Sequence, residues 1–396
     1  MFTAAAGWAQ PVALLEETQF LERVEASTNW GDLLQARTDA ARSEGLRATI
    51  WTNPHVGAEH EQFFSGEDEA SESTLWVSQV FDISGRRAHL AAAAGHGARG
   101  LGFEANALRE ARRRELRVLF AQTMYFQQRV AAHEALIAEL EELQITANAR
   151  RDLGDISALD ALRIELDVER SIAHRERDAL RRDAGWAQME ALTATKSPAG
   201  PWPRLAGELW TTGASTTAAS IDEHPLLGAE AARADAAERR AQAAARGWIP
   251  AVELTVGLKR AGHFDGAAFG LLLGFSLPVA LFDRGQADEL AARAQLAHAK
   301  WQRATTHNAL AADLEAARVV EGRLKSIGPG LQANRERAER IVRLSRAFYE
   351  AGEGDIRGLL DAFRARSDVE LDFLEVGLEL RQARIVIESL VFRSTP

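Results

Sequence analysis

Large apolar residues occupy every second position in two segments of the second half of the chain, residues 251–259 and 268–277, with Leu272 as one additional leucine on the other face. A period of two residues places every second side chain on the same face of a β-strand, so the two segments predict a hairpin. Nine or ten residues is also the length of a tilted membrane-spanning strand. A water-soluble hairpin with one buried face would have the same pattern, so the alternation leaves the surroundings of the hairpin open.

A weaker pair of strands is predicted in the first half, at about 55–64 and 74–81, with a polar loop at 65–73. An amphipathic helical pattern precedes each pair, at residues 20–47 and 229–246. The two halves therefore begin with the same order of elements, a helix followed by two strands.

A proline, Pro54 or Pro250, lies just before the first strand of each pair and disfavours helix in the residue before it. A long helix rich in alanine, glutamate and arginine is predicted after each pair, at 86–151 and 286–350. At 1.5 Å per residue the first would be about 100 Å long. So long a helix cannot bury its apolar stripe in one small core, so we expect helices packed side by side in a bundle or an assembly.

Within the first long helix, Leu136, Leu140, Leu143 and Ala147 have the near-heptad spacing of packed helices. The second is expected to break or kink near its middle, at Gly322 and at residues 328–330, a Gly-Pro-Gly sequence. Returning helices are predicted after both, at 157–195 and 357–392.

The turn between each long helix and its returning helix has a similar sequence. Gly154-Asp155-Ile156 in the first half matches Gly354-Asp355-Ile356 in the second, and Asp-Val-Glu follows both. We therefore predict two structural repeats, at 20–196 and 221–396. Residues 197–220, rich in Pro, Gly, Ser and Thr, form a linker or equatorial segment between them. Residues 1–19 are expected to be the remnant of a signal peptide, with a cleavage-like Gly7-Trp8-Ala9, or a flexible N-terminus.

Composition narrows the function. A net charge of −10 with interleaved acidic and basic residues argues against a nucleic-acid partner. The chain has no cysteine, no run of 18 apolar residues, and no phosphate loop, nucleophile elbow or helical zinc motif. Its ten histidines are scattered and its methionines number three. We therefore expect no enzyme, no cofactor and no metal site.

Two hairpins supply four strands, which is too few to close a barrel. Unpaired strand edges are not tolerated in lipid, so a membrane-spanning form would have to oligomerise. Two, three or four copies would give about eight, twelve or sixteen strands.

The double repeat, the proline before each first strand and the YEAGE…LLDA turn at 349–362 resemble the TolC-like outer-membrane efflux factors. The resemblance covers the chain from about Phe20 onward. Two strand-to-helix junctions, 77–87 (VSQVFDISGRR) and 275–285 (FSLPVALFDRG), look like the branch that serves heavy-metal cation exporters of the resistance–nodulation–division type.

The resemblance implies a mainly α fold with a small membrane β part, assembled as a homotrimer. A twelve-strand barrel in the outer membrane of a Gram-negative bacterium would continue as a twelve-helix tunnel in the periplasm. It also implies a periplasmic adaptor and an inner-membrane pump as partners, contact with outer-membrane lipid, and no catalysis in this chain.

The same resemblance places Asp361 where family members narrow the periplasmic entrance with the second of two aspartates. Gly358 replaces the first. Three symmetry-related carboxylates would form a cation-attracting gate, whereas the simpler interpretation is an acidic residue near a helix N-terminus. Asp155 and Asp355 are expected to cap the returning helices. Candidates for contact with the adaptor are the exposed turn residues Leu153, Gly154, Asp155, Ile156, Ser157, Gly352, Gly354, Asp355 and Arg357.

Two other functions remain open. An outer-membrane exit duct for protein secretion would share this architecture. A periplasmic coiled-coil adaptor or scaffold would have one helical hairpin flanked by two halves of a β-domain, and the two hairpins here favour a duct. The sequence does not specify the exported substrate.

Overall fold

The computed structural model describes residues 14–27, 30–65, 68–193, 202–210, 220–263 and 266–391. The cleavage-like residues 7–9 and most of the predicted linker lie outside these ranges. Within them the chain is mainly helical with a small sheet part. No helix in the described ranges combines the length and the apolar character needed to cross a membrane.

The described elements follow one another in an order close to that predicted. The helices are α1 Glu17–Ser27, α2 Trp30–Thr49, α3 Arg86–Asp152, α4 Ala158–Thr193, α5 Pro225–Ala244, α6 Gln286–Glu350 and α7 Ile356–Leu390. The strands are β1 Leu14–Leu15, β2 His55–Ser65, β3 Asp68–Phe81, β4 Arg204–Leu205, β5 Val252–His263 and β6 Gly266–Ser276.

The chain divides into two compact units, and each takes segments from both predicted repeats. Unit 1 comprises Met1–Trp30, Leu108–Glu223 and Ala309–Pro396, and unit 2 comprises Gly31–Ala107 and His224–Asn308. The two-repeat organisation therefore stays a prediction from the sequence.

Unit 2 contains a four-stranded antiparallel sheet in the order β2-β3-β5-β6. Its register is continuous, so Val56, Val77, Val256 and Leu273 stand opposite one another across all four strands. β2 and β6 are the edge strands.

The predicted loop at 65–73 is wrong in its second part, because β3 begins at Asp68. β5 likewise continues to His263, through residues expected to form a loop. The reason is backbone pairing: Ser71 to Ser73 lie opposite Gly262 to Arg260, and this ladder does not require apolar side chains.

The sheet has one apolar face that is largely exposed in the single chain. The exposed large apolar side chains of this face range from 45% exposure at Val77 to 81% at Phe269, whereas Phe81 and Val252 at its end are half-buried. Directly opposed residues in an antiparallel sheet point to the same side. This apolar face consists of the even-numbered residues of β2 and β5 and the odd-numbered residues of β3 and β6.

The opposite face of the sheet is closely packed near Trp76. The side chain of Trp76 lies over Gly57, where an added Cβ would come within 2.3 Å of the indole ring. Gly257 pairs with Trp76 from the other neighbouring strand, β5. An added Cβ there would lie 2.6 Å from the carbonyl oxygen of Leu75. The two glycines therefore make room for one large aromatic side chain.

Both long helices begin directly after a glycine with a positive φ, Gly85 at 71° and Gly285 at 76°. The end of α5 contacts both junctions. Arg246 donates a hydrogen bond of 3.3 Å to the carbonyl of Ser84, and Gly247 packs against Gly285. The same short segment thus holds the starts of α3 and α6.

In unit 1 a core forms around α1, α3, α4 and the residues near 205, and it buries Phe20, Phe120, Trp186 and Met189. Leu14–Leu15 pair in parallel with Arg204–Leu205, and Leu15 and Leu205 are buried in this core. The expectation of a flexible N-terminus up to residue 19 is therefore wrong from Leu14 onward. The described part of the predicted linker likewise includes a strand.

The predicted helix at 20–47 is two helices, α1 and α2. α1 ends at Ser27, whose hydroxyl donates hydrogen bonds of 2.9 Å to the carbonyls of Val24 and Leu192. The second of these bonds ties the end of α1 to α4.

α6 continues through Pro329, so the helix does not break near its middle, and the alternative of a kink there stays a prediction. Proline removes one backbone donor, which a helix of 65 residues with many other contacts tolerates. Trp210 packs beside it: a Cβ on Gly328 would lie 2.7 Å from the indole ring. Trp210 also donates a 3.0 Å hydrogen bond to the carbonyl of Phe373 and thereby links this part of α6 to α7.

Candidate functional site

The candidate site consists of the two turns of unit 1 that join α3 to α4 and α6 to α7. Both turns end the long helix in the same way. Gly154 and Gly352 have φ values of 85° and 75°, which only glycine adopts without strain. Each donates to the carbonyl three residues back, and the next residue donates to the carbonyl five residues back. This is the Schellman pattern, which satisfies helix-end carbonyls.

The residues that are structurally equivalent in the two turns are not the ones that match in sequence. Gly154 is equivalent to Gly352, and the cap of the returning helix follows three residues later in both turns, at Ser157 and at Asp355. Asp355 accepts a hydrogen bond of 2.9 Å from the backbone N–H of Gly358, so its predicted capping role is confirmed.

The capping role predicted for Asp155 is wrong. Ser157 takes it, since its Oγ accepts a 3.1 Å hydrogen bond from the N–H of Asp160. The Ser157 hydroxyl also donates to the Asp160 carboxylate at 2.6 Å. This hydrogen bond is the main reason why the pKa of Asp160 lies below its ordinary value. Asp155 lies before the cap, with its N–H bonded to the carbonyl of Arg150 at 2.9 Å.

The two turns lie next to each other. Arg357 of the second turn donates to Asp160 of the first at 3.4 Å. The guanidinium of Arg150 lies 4.8 Å from the ring centre of Tyr349. Tyr349 itself is buried in a core cluster with Ala147 and residues of all four helices. The structure thus brings the two predicted tip segments into one surface.

The predicted adaptor-contact residues differ in exposure. Leu153 is 78% exposed, and Gly154, Asp155, Ser157, Gly352, Asp355 and Arg357 are exposed as well. Ile156 and Gly354 are half-buried, and Ile156 packs against the tip core. An added Cβ on Gly354 would come within 3.1 Å of Phe348. These two residues therefore contribute to packing more than to a free surface.

Asp361, the gate candidate, lies one and a half turns into α7 with its side chain 72% exposed. Its carboxylate accepts a hydrogen bond of 3.1 Å from Arg364. Arg364 also donates to Asp167 of α4 at 2.6 Å. Asp167 is buried, so the guanidinium links an exposed carboxylate to a buried one.

The ion pairs between α4 and α7 were not predicted. Asp160 and Asp167 are seven residues apart on α4, and their partners Arg357 and Arg364 are seven apart on α7. Seven residues is close to two helical turns, so matching pairs at this spacing form two rungs between neighbouring helices. The shared spacing of two aspartates and two arginines was the signal in the sequence that could have indicated them.

An exposed apolar stripe on α4 was also missed. Leu159, Leu162 and Leu166 are 55%, 60% and 50% exposed, on the side of α4 away from the buried Ile164 and Val168. Their spacing of three and four residues marks one face of a helix. Leu153 extends this exposed apolar surface to the first turn.

Farther along α3 and α4, a buried polar group links the two helices. Arg129 donates to Asp178 at 2.7 Å and to the hydroxyl of Tyr125 at 2.9 Å. Nε2 of His133 lies 3.3 Å from the same carboxylate, outside hydrogen-bonding geometry. Burial lowers the pKa of His133 below its ordinary value.

No group of three or more His, Cys, Asp or Glu side chains in the described ranges could hold a metal ion. The described tip offers charge and surface contact, with exposed carboxylates, exposed arginines and exposed leucines.

Part of the sequence matches a known protein family, and two relatives are similar over most of this chain. The sequence profile of the family described as "Outer membrane efflux protein" matches residues 218–391. The nickel-cobalt-cadmium resistance protein NccC of Alcaligenes xylosoxydans xylosoxydans is 26% identical over 267 residues, 63% of this chain and 57% of the relative. The nickel and cobalt resistance protein CnrC of Cupriavidus metallidurans is 24% identical over 307 residues, 72% of this chain and 70% of the relative.

The fold is shared with solved channel structures. CusC has a TM-score of 0.79 at 12% identity, covering 99% of this chain and 98% of that one. The outer membrane protein VceC of Vibrio cholerae has a TM-score of 0.77 at 14% identity, covering 94% and 95%. Residues 218–391 thus match the outer membrane efflux protein family, the chain is similar in sequence to NccC and CnrC, and it shares the fold of CusC and VceC.

Proposed function

We propose that this chain is the outer-membrane exit duct of a tripartite efflux system, and that it is passive. The observation that carries the proposal is the four-stranded sheet with an exposed apolar face and two open edges, β2 and β6. Such a face is stable in contact with lipid, whereas in water it would be an aggregation-prone surface.

The open edges require partners, because unpaired backbone groups in hydrocarbon cost several kcal/mol each. Pairing of β6 of one copy with β2 of the next would close the sheet without any further element. We propose a homotrimer, in which three four-stranded sheets give a twelve-strand barrel in the outer membrane. The helices α3, α4, α6 and α7 of the three copies would form a twelve-helix tunnel in the periplasm.

We propose heavy-metal cations as the substrate class. Support comes from the relatives NccC and CnrC, whose names describe nickel and cobalt resistance. The chain itself would not select the cation, and an inner-membrane pump of the resistance–nodulation–division type would supply both selection and energy.

We propose that the paired turns are the contact surface for a periplasmic adaptor. Support comes from the joined, exposed tip around Leu153, Asp155 and Arg357, which continues into the leucine stripe of α4. Rigid, exposed turns at the end of packed helices are suitable positions for docking.

We also propose that Asp361 narrows the tunnel entrance. In a trimer three copies of this carboxylate would come around one axis and attract cations. Its hydrogen bond to Arg364, which also holds Asp167, would keep α7 against α4 in the closed form.

The decisive experiment is reconstitution of the purified chain into planar bilayers, combined with measurement of its oligomeric mass. A trimer that gives discrete single-channel conductance is the expected outcome. A water-soluble monomer without conductance would overturn the proposed duct.

The substrate class is tested separately, in a strain that lacks the chain but keeps the neighbouring pump and adaptor genes. Loss of resistance to nickel, cobalt or cadmium, restored by the chain, is expected. Unchanged metal resistance together with loss of a secreted protein would instead assign the duct to protein secretion.

A further inference from the structure

At one level of the apolar face, in a row across the sheet, three of the four strands carry a polar residue in place of an apolar one. His60, Ser73, Arg260 and Phe269 lie directly opposite one another on β2, β3, β5 and β6. On one side of the row the neighbouring residues on this face are apolar, Ala58, Leu75, Leu258 and Leu271. On the other side they are Gln62, Ser71, Gly262 and Ala267. The row therefore borders the continuous apolar band, and beyond it Phe64 is a further exposed apolar residue on this face.

The charges of the sheet are divided between its two faces. Among the described side chains of the apolar face, only Arg260 and His60 are ionisable. The carboxylates of Glu59, Glu61 and Glu72 lie on the opposite face, where Lys259 forms an ion pair with Glu72. Among the side chains that the structure describes, Arg260 thus has no carboxylate on its own face of the sheet.

At a lipid boundary, an arginine at the edge of an apolar band is stabilised by an anion that accepts hydrogen bonds from its donors. Its guanidinium can form two parallel hydrogen bonds with a phosphate. Basic side chains at the boundary between hydrocarbon and headgroups interact with anionic lipid. Phe269, 81% exposed and next in the row, is an aromatic residue, and membrane β-barrels have girdles of aromatic residues at both interfaces.

His60 is held in a fixed position beside this site. Its Nδ1 is 2.9 Å from the hydroxyl of Ser73, so Nε2 is the ring nitrogen left for a ligand. One strand separates β2 from β5, so the backbones of His60 and Arg260 are about 10 Å apart. The long arginine side chain can cover most of that distance, and a lipid headgroup above Ser73 would be within reach of both.

We propose that Arg260 and His60 bind the phosphate of an anionic lipid headgroup and thereby set the depth of the sheet in the membrane. The proposal rests on the proposed function, because it requires the apolar face to contact lipid. It commits to a lipid-borne phosphate, and free phosphate is a separate arm of the test.

The chain offers a matched control one residue away. Lys259 carries the same charge as Arg260 but lies on the opposite face of the sheet. R260Q and K259Q remove equal charge from adjacent positions, and H60Q removes the second proposed ligand. Arg260 and His60 are exposed, so R260Q and H60Q remove no buried contact.

The experiment measures unfolding temperature in phosphatidylcholine vesicles with increasing fractions of phosphatidylglycerol. The anionic lipid is expected to raise the unfolding temperature of the wild type. The double variant R260Q/H60Q is expected to need about tenfold more phosphatidylglycerol for the same rise. K259Q is expected to respond as the wild type does, and R260K to keep part of the response because it keeps the charge without the fork. Inorganic phosphate added to pure phosphatidylcholine vesicles is expected to have no effect.

Two results would overturn the proposal while leaving the duct intact. In one, the wild type inserts but has the same unfolding temperature in both lipids, or R260Q and K259Q change the response to phosphatidylglycerol equally. In the other, inorganic phosphate stabilises as well as phosphatidylglycerol does. A wild-type chain that fails to insert even into phosphatidylcholine vesicles would overturn the duct and this proposal together.

Discussion

At the scale of single residues, two glycines determine how the tip is built. Gly154 and Gly352 end the long helices in a left-handed conformation, and the caps Ser157 and Asp355 follow at the same distance. The sequence match of Gly154 with Gly354 hid this equivalence, since backbone conformation and not residue identity aligns the turns.

Replacement of either glycine by alanine is expected to lower the free energy of unfolding by about 1 kcal/mol, because alanine is strained at positive φ. Gly322→Ala is the control: this glycine lies within α6 and an added Cβ meets nothing within 4 Å. Denaturant unfolding should show the control unchanged or more stable. Equal losses for G352A and G322A would contradict the conformational argument.

His133 gives a prediction about pH. Burial holds its folded-state pKa below the ordinary value of 6.5, so the unfolded chain takes up the proton first on acidification. The stabilising contribution of neutral His133 is therefore present above about pH 6.5 and is lost as pH falls further. Arg129, Asp178 and His174 are the charged and titratable groups that face it.

His133→Gln cannot take up this proton, so its unfolding temperature should fall less between pH 7 and pH 5.5 than that of the wild type. His174→Gln is the matched control, because that ring stacks on His133 from an exposed position. If H133Q and the wild type lose stability in parallel over this range, the titration of another group is responsible.

At the scale of elements, α4 and α7 are joined by two ion pairs of different character. Arg364 meets the buried Asp167, whereas Arg357 meets Asp160 with its own side chain 57% exposed. Exposed pairs contribute little, and breaking a pair that includes a buried carboxylate costs more. The Arg357–Asp160 pair, which lies nearer the helix ends, should therefore contribute less to the free energy of unfolding.

Arg364→Gln is expected to destabilise the chain by about 1–2 kcal/mol, because it leaves Asp167 without its partner in a buried position. Arg357→Gln, the same substitution one rung away, should change stability by less than about 1 kcal/mol. Urea unfolding of both variants measures the difference. A larger loss for R357Q than for R364Q would show that burial does not rank these pairs.

Strong periodicity made several elements predictable. The pattern predicted long helices at 86–151 and 286–350, and the structure has Arg86–Asp152 and Gln286–Glu350. The alternating strands of the second half were clear because every second residue is apolar from Val252 to Leu258 and from Phe269 to Phe275. The start of β3 was missed because backbone pairing with β2, joined from Ser71 onward by pairing with β5, and not side-chain pattern, makes residues 68–73 a strand.

The tip was predicted in position but not in detail. The turn glycines were visible as glycines in a helical pattern, whereas Ser157 as the cap and the pairs across 197 residues depend on tertiary contacts. At Pro329 a local signal misled the prediction. Proline usually breaks a helix, but here the packing of Trp210 against Gly328 outweighs that preference.

At the scale of the whole molecule, the proposed gate can be tested by its charge. Asp361→Asn is expected to lower cation selectivity or to raise the conductance of the closed tunnel, since it removes a carboxylate and weakens the contact with Arg364. Single-channel recording in planar bilayers measures both. Asp155→Asn removes equal charge from the turn and should leave both unchanged. Unaltered selectivity and conductance in D361N would assign Asp361 to an ordinary solvated helix face.

The position of β2 and β6 at opposite edges of the sheet has a genetic consequence. In a ring closed from edge to edge, every copy must offer both edges to its neighbours. A copy with proline at both Leu271 and Leu272 keeps β2 but has a damaged β6, so it can join a ring and cannot complete it. Expressed beside the normal gene, such a copy should therefore act as a dominant inhibitor, because one defective subunit would disable an entire assembly.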